Sequence, residues 1–236
     1  MLYPPKCMIC EKLLSERVWE LGFHMACKKE LCLIMEPVCM QCGRPVGLPE
    51  TEYCYDCAKK HRQAELQKFI KQGKALFLYE GVPKEIIYRL KYANCREYAK
   101  SLAKLAYEQY GDWIKRNQIE AVIAVPMYHK KQRKRGYNQA ELLAKALAKE
   151  MGVSCLEGIL KKVKDTKEQK KLDDRDRKNN LKNAFQMSKN VVKYKKILLV
   201  DDIYTTGNTL ETVAQELYRS GISEIYTLVI CIGEGQ

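Results

Sequence analysis

The sequence has no apolar run approaching the roughly 20 residues that a membrane-spanning helix needs, so insertion into a bilayer is not expected. It also lacks a basic n-region and an apolar h-region at its start, Met1-Leu-Tyr-Pro-Pro-Lys-Cys7, which argues against a secretory signal and for the cytoplasm. Acidic charge is scarce in one place only. From His129 to Lys196, 21 Lys or Arg face 8 Asp or Glu, while the remaining residues carry 21 of each, so the whole net charge of +13 lies in that span. A basic surplus so concentrated favours polyanionic partners, either nucleic acid or a multiply phosphorylated small molecule. The plainer reading is a solvated basic surface with no partner.

At 236 residues with 46% apolar side chains, the chain can bury one α/β domain of ordinary size and carry a small module beside it. Eleven cysteines in a cytosolic setting point to metal binding or redox chemistry rather than disulfides. Eight of them precede residue 60, which marks residues 1–58 as a separate cysteine-rich module. Cys95, Cys155 and Cys231 have no ligand partner at useful spacing and read as buried apolar residues.

Within the module, Cys7-x2-Cys10 leads to His24-x2-Cys27, and Cys39-x2-Cys42 leads to Cys54-x2-Cys57. The leading pairs are displaced by 32 residues and the trailing pairs by 30, which identifies two tandem knuckles. Two Cys-x2-Cys turns complete a closed tetrahedral zinc site, and closed sites are structural rather than catalytic. Cys39, Cys42, Cys54 and Cys57 form the clearer set, with Gly43 placed where a tight turn needs positive φ. The first set is Cys7, Cys10, His24 and Cys27, with Cys32 as the alternative to His24; the zinc count is one or two. A redox role for the Cys-x-x-Cys turns needs a thioredoxin-like strand and helix, which this Pro- and Gly-punctuated stretch does not offer. Residues 59–74 read as a polar helical connector, with Leu66, Phe69 and Ile70 on one side.

From residue 75 to 236, short apolar runs alternate with amphipathic stretches. Strands are expected at Ala75–Tyr79, Ala121–Val125, Lys196–Asp201 and Glu224–Ile232, and helices at Pro83–Tyr92, Glu97–Arg116, Ala140–Met151 and Thr209–Ser220. Strands separated by helices imply an α/β domain with a mainly parallel sheet and helices on both faces. Ligands in such sheets bind beyond the carboxyl ends of the strands, which directs attention to the loops after Val125 and Val200.

The loop Pro126 to Gln139 carries five cationic side chains within six positions, Arg133 and Arg135 among them. The second loop sits in Ile197-Leu-Leu-Val-Asp-Asp-Ile-Tyr-Thr-Thr-Gly-Asn-Thr209. A Gly-containing turn entering a helix supplies convergent N–H donors and the positive helix end to a phosphate, and Thr205, Thr206 and Thr209 add hydroxyls. Asp201 and Asp202 repel a phosphate, but they can accept hydrogen bonds from sugar hydroxyls or help hold hydrated Mg²⁺. Acids beside a phosphate cradle suggest a ribose phosphate. The bland alternative is a polar strand exit followed by an ordinary turn and helix cap.

The apolar strand, double acid and Thr-Thr-Gly-x-Thr string resembles the phosphoribosyl-diphosphate (PRPP) binding signature of type I phosphoribosyltransferases. Together with the cysteine knuckles, Arg133-Lys-Arg-Gly-Tyr-Asn-Gln139, and Arg177-x-x-Asn180 with Phe185, the chain resembles the ComF-type competence proteins over nearly its whole length. The resemblance implies that Asp201 and Asp202 contact ribose hydroxyls. Thr205, Thr206, Gly207, Asn208 and Thr209 would hold the 5′-phosphate, with pyrophosphate near the loop after Val125. It places Lys170, Lys171 and Arg177 in the mobile flap. Thr205 stands where purine-salvage enzymes have an acid, so no general base is identified, and no base-recognition hood is legible.

Two functions of different kinds follow. One is an enzyme that binds Mg²⁺-PRPP and transfers its ribose 5-phosphate to an unidentified acceptor as pyrophosphate departs. The other, favoured by the family's implied role in DNA uptake, handles single-stranded DNA across the basic span, with Tyr128 and Tyr137 either stacking on bases or packing inward. Protein partners in the uptake machinery, or a ribbon acting as a docking adaptor, form a third reading.

Overall fold

A computed structural model of the chain describes residues 5–63, 69–164, 184–187 and 193–235. The two knuckles are structural repeats as well as sequence repeats. Gly43 N–H donates to Cys39 O at 2.8 Å, and Glu11 N–H donates to Cys7 O at 2.9 Å. Glu11 and Gly43 both have positive φ, 58° and 77°, and the small bridges Lys6–Leu13 and Val38–Pro45 are again 32 residues apart. The second knuckle runs into α1 (Tyr55–Gln63), which carries Cys57.

The large domain follows as β1 (Ile70–Leu78), α2 (Gly81–Tyr92), α3 (Tyr98–Arg116), β2 (Ala121–Ala124), α4 (His129–Arg135), α5 (Gln139–Met151), β3 (Ser154–Cys155), β4 (Leu160–Lys162), β5 (Phe185–Met187), β6 (Lys196–Tyr204), α6 (Asn208–Arg219) and β7 (Glu224–Ile232). The five-stranded sheet has the order β1-β7-β6-β2-β3, and every neighbouring pair in it is parallel. β4 and β5 form a separate antiparallel pair.

Strand alternation divides the core into two layers. Leu198, Val200, Tyr226, Leu228 and Ile230 face α2, α3 and α5, where they meet Leu90, Leu102 and Leu147. Ile197, Leu199, Ile225 and Val229 face Leu210, Val213, Ala214 and Leu217, the one apolar stripe of α6. Each fully buried side chain of this size contributes about 1.5–3 kcal/mol of transfer free energy. Helix ends follow local chemistry: Asn138 caps α5 by accepting from Ala140 N at 3.1 Å, and Gly152 closes it with φ 68°.

The first knuckle joins the α2–α3 layer through Met8, Leu14 and Phe23, and the cysteines of the second join the α6 layer. Between them, Ile34 N–H donates to Leu76 O at 2.9 Å and Leu33 bridges Phe77 in antiparallel fashion. The module thus straddles edge strand β1 and occupies part of its free edge, with Gly73 N–H donating to Met40 O at 3.2 Å, which lessens the aggregation hazard of an open edge.

Two expectations are corrected here. β1 begins at Ile70, so residues 70–74 belong to the sheet; Phe69 packs on Tyr218 at 5.4 Å, and Leu66 lies outside the described residues. The strand hid because its first half is polar: Lys71 pairs with Glu224 at 2.5 Å, Gln72 accepts from Trp113 at 2.6 Å and Lys74 pairs with Glu36 at 2.6 Å. The Pro126–Gln139 loop contains a helix, α4, closed by Gly136 at φ 87°. Its seven residues are polar throughout and offered no hydrophobic period to read.

A β-carbon at Gly43 would lie 2.7 Å from Ala75 N and Lys74 Cα, backbone atoms of β1 that cannot yield cheaply. Strain at a left-handed position alone costs about 1–3 kcal/mol, and a chain of this size loses about 2–4 °C of Tm per kcal/mol. Gly43→Ala is therefore expected to lower the Tm by several degrees in a thermal melt. An unchanged melt would mean the second knuckle is not seated on β1.

Candidate ligand cleft and metal sites

The cysteine sets are assembled as their spacing predicted. The ligand atoms of Cys7, Cys10, His24 and Cys27 lie within 4.8 Å of one another, as do those of Cys39, Cys42, Cys54 and Cys57. Cys32 is exposed and belongs to neither set, so it is His24 that stands with Cys7, Cys10 and Cys27 in the first. His24 Nε2 lies 3.1 Å from Leu13 O while Nδ1 faces Cys10 Sγ at 3.4 Å, the arrangement in which an outer carbonyl orients a metal-binding imidazole.

A tetrahedral zinc with Zn–S of about 2.3 Å requires S···S edges near 3.8 Å, and Cys42 Sγ and Cys54 Sγ are 3.7 Å apart. Thiols so close and so buried cannot all ionise unless a cation balances them. The Cys7 thiol is pulled down to about 7, with hydrogen bonds from the Cys10 and His24 backbone outweighing its burial. Arg44 completes the second site from outside, reaching Cys54 Sγ at 3.7 Å, Asp56 at 2.6 Å and Gly233 O at 3.2 Å. Both sets fit structural zinc.

The cleft forms where the chain leaves β2 and β6. It encloses about 180 Å³ and is bordered by Lys91, Tyr128, Lys131, Arg135, Gln139, Lys162, Asp201, Asp202 and Thr209, among others. Four cations thus meet two acids across one cavity. Asp201 and Asp202 stand near the end of β6, and Asp202 Oδ2 takes an ion pair from Lys91 Nζ at 2.8 Å. Asp201 Oδ1 accepts from Asp202 N–H at 2.8 Å. Burial, reinforced by the neighbouring Asp202 charge, pushes the Asp201 carboxyl up to about 8. For Lys91 the attraction of Asp202 and Asp201 outweighs burial, and the ammonium is held above its ordinary value.

Past the acids the chain turns through Thr205 and Thr206 into Gly207, whose φ of 77° precedes the first residue of α6, Asn208. Only a glycine fits there, because a β-carbon would meet the Tyr204 hydroxyl at 2.2 Å. Lys60, from α1 of the ribbon module, donates to Thr206 O at 2.5 Å and pairs with Glu211 at 3.1 Å, fastening the turn from behind. Thr206 Oγ1, Asn208 Nδ2 and Gln139 Oε1 are buried without a hydrogen-bond partner. Buried orphans of this kind are rare; Gln139 borders the cleft, and Thr206 and Asn208 lie in the turn beside it.

Of the residues singled out from sequence, Asp201, Asp202, Thr209 and Arg135 border the cavity; Thr205, Thr206, Gly207 and Asn208 form the adjoining turn. Arg133 is exposed on α4, away from the cavity wall, and Lys170, Lys171 and Arg177 lie outside the described residues, as does Asn180. Tyr128 borders the cleft, whereas Tyr137 is buried, donates its hydroxyl to Leu90 O and carries the Arg96 guanidinium over its ring, so it is a packing residue. Cys231 is buried as expected, but Cys95 and Cys155 are only partly so, since each lies at the rim of a core layer. Lys91 and Lys60 went unnoticed: a lysine in a helix's last turn, or in a charged stretch, carries no mark of the partner it will meet.

Residues 1–58 match the double zinc ribbon domain family, and residues 91–235 match the phosphoribosyl transferase domain family. The chain belongs to the phosphoribosyl transferase domain family. Within it, the chain is a ComF-type protein: it is 35% identical to competence protein F of Haemophilus influenzae over 209 residues, covering 86% of this chain and 87% of that one. It is also 28% identical over 231 residues to the DNA utilization protein YhgH of Salmonella typhi, covering 97% of each. Competence protein ComFC of Bacillus subtilis is 24% identical over 225 residues, covering 91% of this chain and 89% of that one. No helix among the described residues is long and apolar enough to cross a membrane.

Two measurements follow. Chelation that strips zinc, or Cys39→Ser, is expected to lower the Tm and open residues 5–63 to protease; an unchanged melt after complete metal removal would show that the thiols hold no structural ion. Asp201 has a folded-state carboxyl raised above its ordinary 3.8 to about 8, so its folded form prefers the proton and stability falls as pH climbs between those values. Asp201→Asn removes that burden: the ligand-free variant should melt higher than wild type at pH 8.5, with the gap narrowing toward pH 5. A gap that widens on acidification would reverse the assignment.

Proposed function

We propose that the chain binds Mg²⁺-PRPP in this cleft and acts in the handling of single-stranded DNA in the cytoplasm during uptake. The observation that supports it most is the acid pair Asp201–Asp202 leading into a turn whose buried polar atoms lack partners, opposite Lys91, Lys131 and Arg135. PRPP carries two ribose hydroxyls, a 5′-phosphate and a pyrophosphate, and each meets a chemically matched surface. Asp201 and Asp202 accept from the hydroxyls. The amides of the Thr205–Thr209 turn and the positive end of α6 receive the 5′-phosphate. Lys131 and Arg135 face the pyrophosphate, whose charge Mg²⁺ shares. Lys91, ion-paired with Asp202 Oδ2 at 2.8 Å, holds that side chain in place for the sugar.

The names of the relatives, competence proteins and DNA utilization proteins, support a DNA role, with the ribbons or the basic surface offering contacts to other uptake proteins. A second reading, turnover of PRPP, is favoured by the cations beside the leaving group. Pyrophosphate would depart as C1 gains oxocarbenium character, and Lys131 and Arg135 would stabilise its growing charge. No ionisable side chain stands at Thr205 to take a proton from an acceptor.

Calorimetric titration of PRPP with Mg²⁺ is expected to give saturable binding to wild type and none to Asp201→Asn/Asp202→Asn. Pyrophosphate release on addition of an acceptor would make the protein an enzyme. Absence of wild-type binding would overturn the PRPP reading.

A further inference from the structure

α2 presents two tyrosines to solvent one helical turn apart. Tyr88 is 56% exposed and Tyr92 is 66% exposed, with ring centroids 5.1 Å apart and planes tilted by 46°. Aromatic rings are costly to leave in water, and a pair side by side marks a contact surface more strongly than single residues do. The Arg135 guanidinium lies 5.1 Å from the Tyr92 ring centroid, adding a second flat cationic surface to the pair. Arg135 also borders the cleft, so this aromatic row begins at the cavity mouth. Behind it, α4 exposes Lys130, Lys131, Arg133 and Lys134 within a single short helix, and Tyr128 and His129 pair their rings at 4.4 Å at its start.

Exposed rings interleaved with cations suit a strand of unpaired nucleotides: the rings take base faces and the cations take phosphates. Duplex DNA hides its base faces in the stack and cannot use the tyrosines. A phosphorylated small molecule needs the cations but not two rings. We propose that Tyr88, Tyr92 and Arg135 form a stacking platform for bases of single-stranded DNA, with the phosphate backbone running along α4 past the mouth of the cleft. The identity of the polymer rests on the DNA-handling reading above; the location rests on the exposed rings and their charge setting. Stacking accepts any base, so the platform binds with little sequence preference.

The test is fluorescence anisotropy of a labelled oligothymidylate with wild type, Tyr88→Ala/Tyr92→Ala, Tyr92→Trp and Lys130→Ala/Lys134→Ala, each across a salt series. Loss of base stacking on two rings is expected to weaken binding about tenfold or more. Because phosphate contacts are untouched, the slope of affinity against salt should stay the same in the double tyrosine variant. It should fall in the double lysine variant. Tyr92→Trp should bind at least as well as wild type, a matching duplex should not respond to the tyrosine substitutions, and the exposed positions should leave the melt unchanged. If the double tyrosine variant binds the oligonucleotide as wild type does, the platform is wrong while the DNA reading stands. If wild type shows no salt-dependent binding of single strands, both fall together.

Discussion

Four sulfur atoms packed in a dry pocket are stable only if their charge is balanced, and much of the molecule is tied to the place where Cys39, Cys42, Cys54 and Cys57 meet. The turn that brings Cys42 round sets Gly43 against β1 at a distance no other residue tolerates. Arg44, beside the same sulfurs, holds Gly233 O beyond β7, and Gly233 N–H donates to Tyr204 O at the end of β6. Tyr204 fills the space beneath Gly207, its hydroxyl driven well above the ordinary range by burial and then by Cys42 and Cys57. Lys60, one turn along α1 from Cys57, grips Thr206 O. The second cysteine set and the Thr205–Thr209 turn are therefore two ends of one packed unit, and the ribbon module helps set the geometry of the cleft.

The cleft shows a second balance. Burial raises the Asp201 carboxyl, and the charge of the adjacent Asp202 adds to the shift. Lys91 forms its direct ion pair with Asp202 at 2.8 Å, and its charge draws on Asp201 as well but does not offset that carboxyl's burial. On the reading proposed above, a ligand would bring hydroxyls to the acids and phosphates to Arg135 and Lys131. Local conflict of this kind is what functional positions generally carry.

How much could be read beforehand depended on whether a residue's role is local. The cysteine spacing carries its own geometry, so both ligand sets were legible, and only the choice between His24 and Cys32 needed the fold. Strands at the sheet centre, such as β7, are mostly apolar and their limits were plain. β1 was half hidden because Lys71, Gln72 and Lys74 find polar partners on α3, β7 and the ribbon, contacts made by residues far away in the chain. Lys91, Lys60 and Arg44 escaped for the same reason. Tyr137 and Tyr128 were indistinguishable in sequence; the first turned inward because Leu90 O and Arg96 wait for it, and the exposed pair proved to be Tyr88 and Tyr92.

Arg135 belongs to two surfaces at once, the cleft wall and the Tyr92 face. A guanidinium has one plane and one set of donors, and a pyrophosphate that claims those donors bidentately fixes where the plane lies. If that orientation still covers Tyr92, a ligand in the cleft favours the strand outside; if it turns the plane away, the ligand opposes it. Either way the two affinities must change by the same factor in both directions, because coupling between sites is reciprocal. On the two proposals above, PRPP and a DNA strand would then sense one another through a single side chain, with Lys60 of the ribbon module holding Thr206 O from the other side.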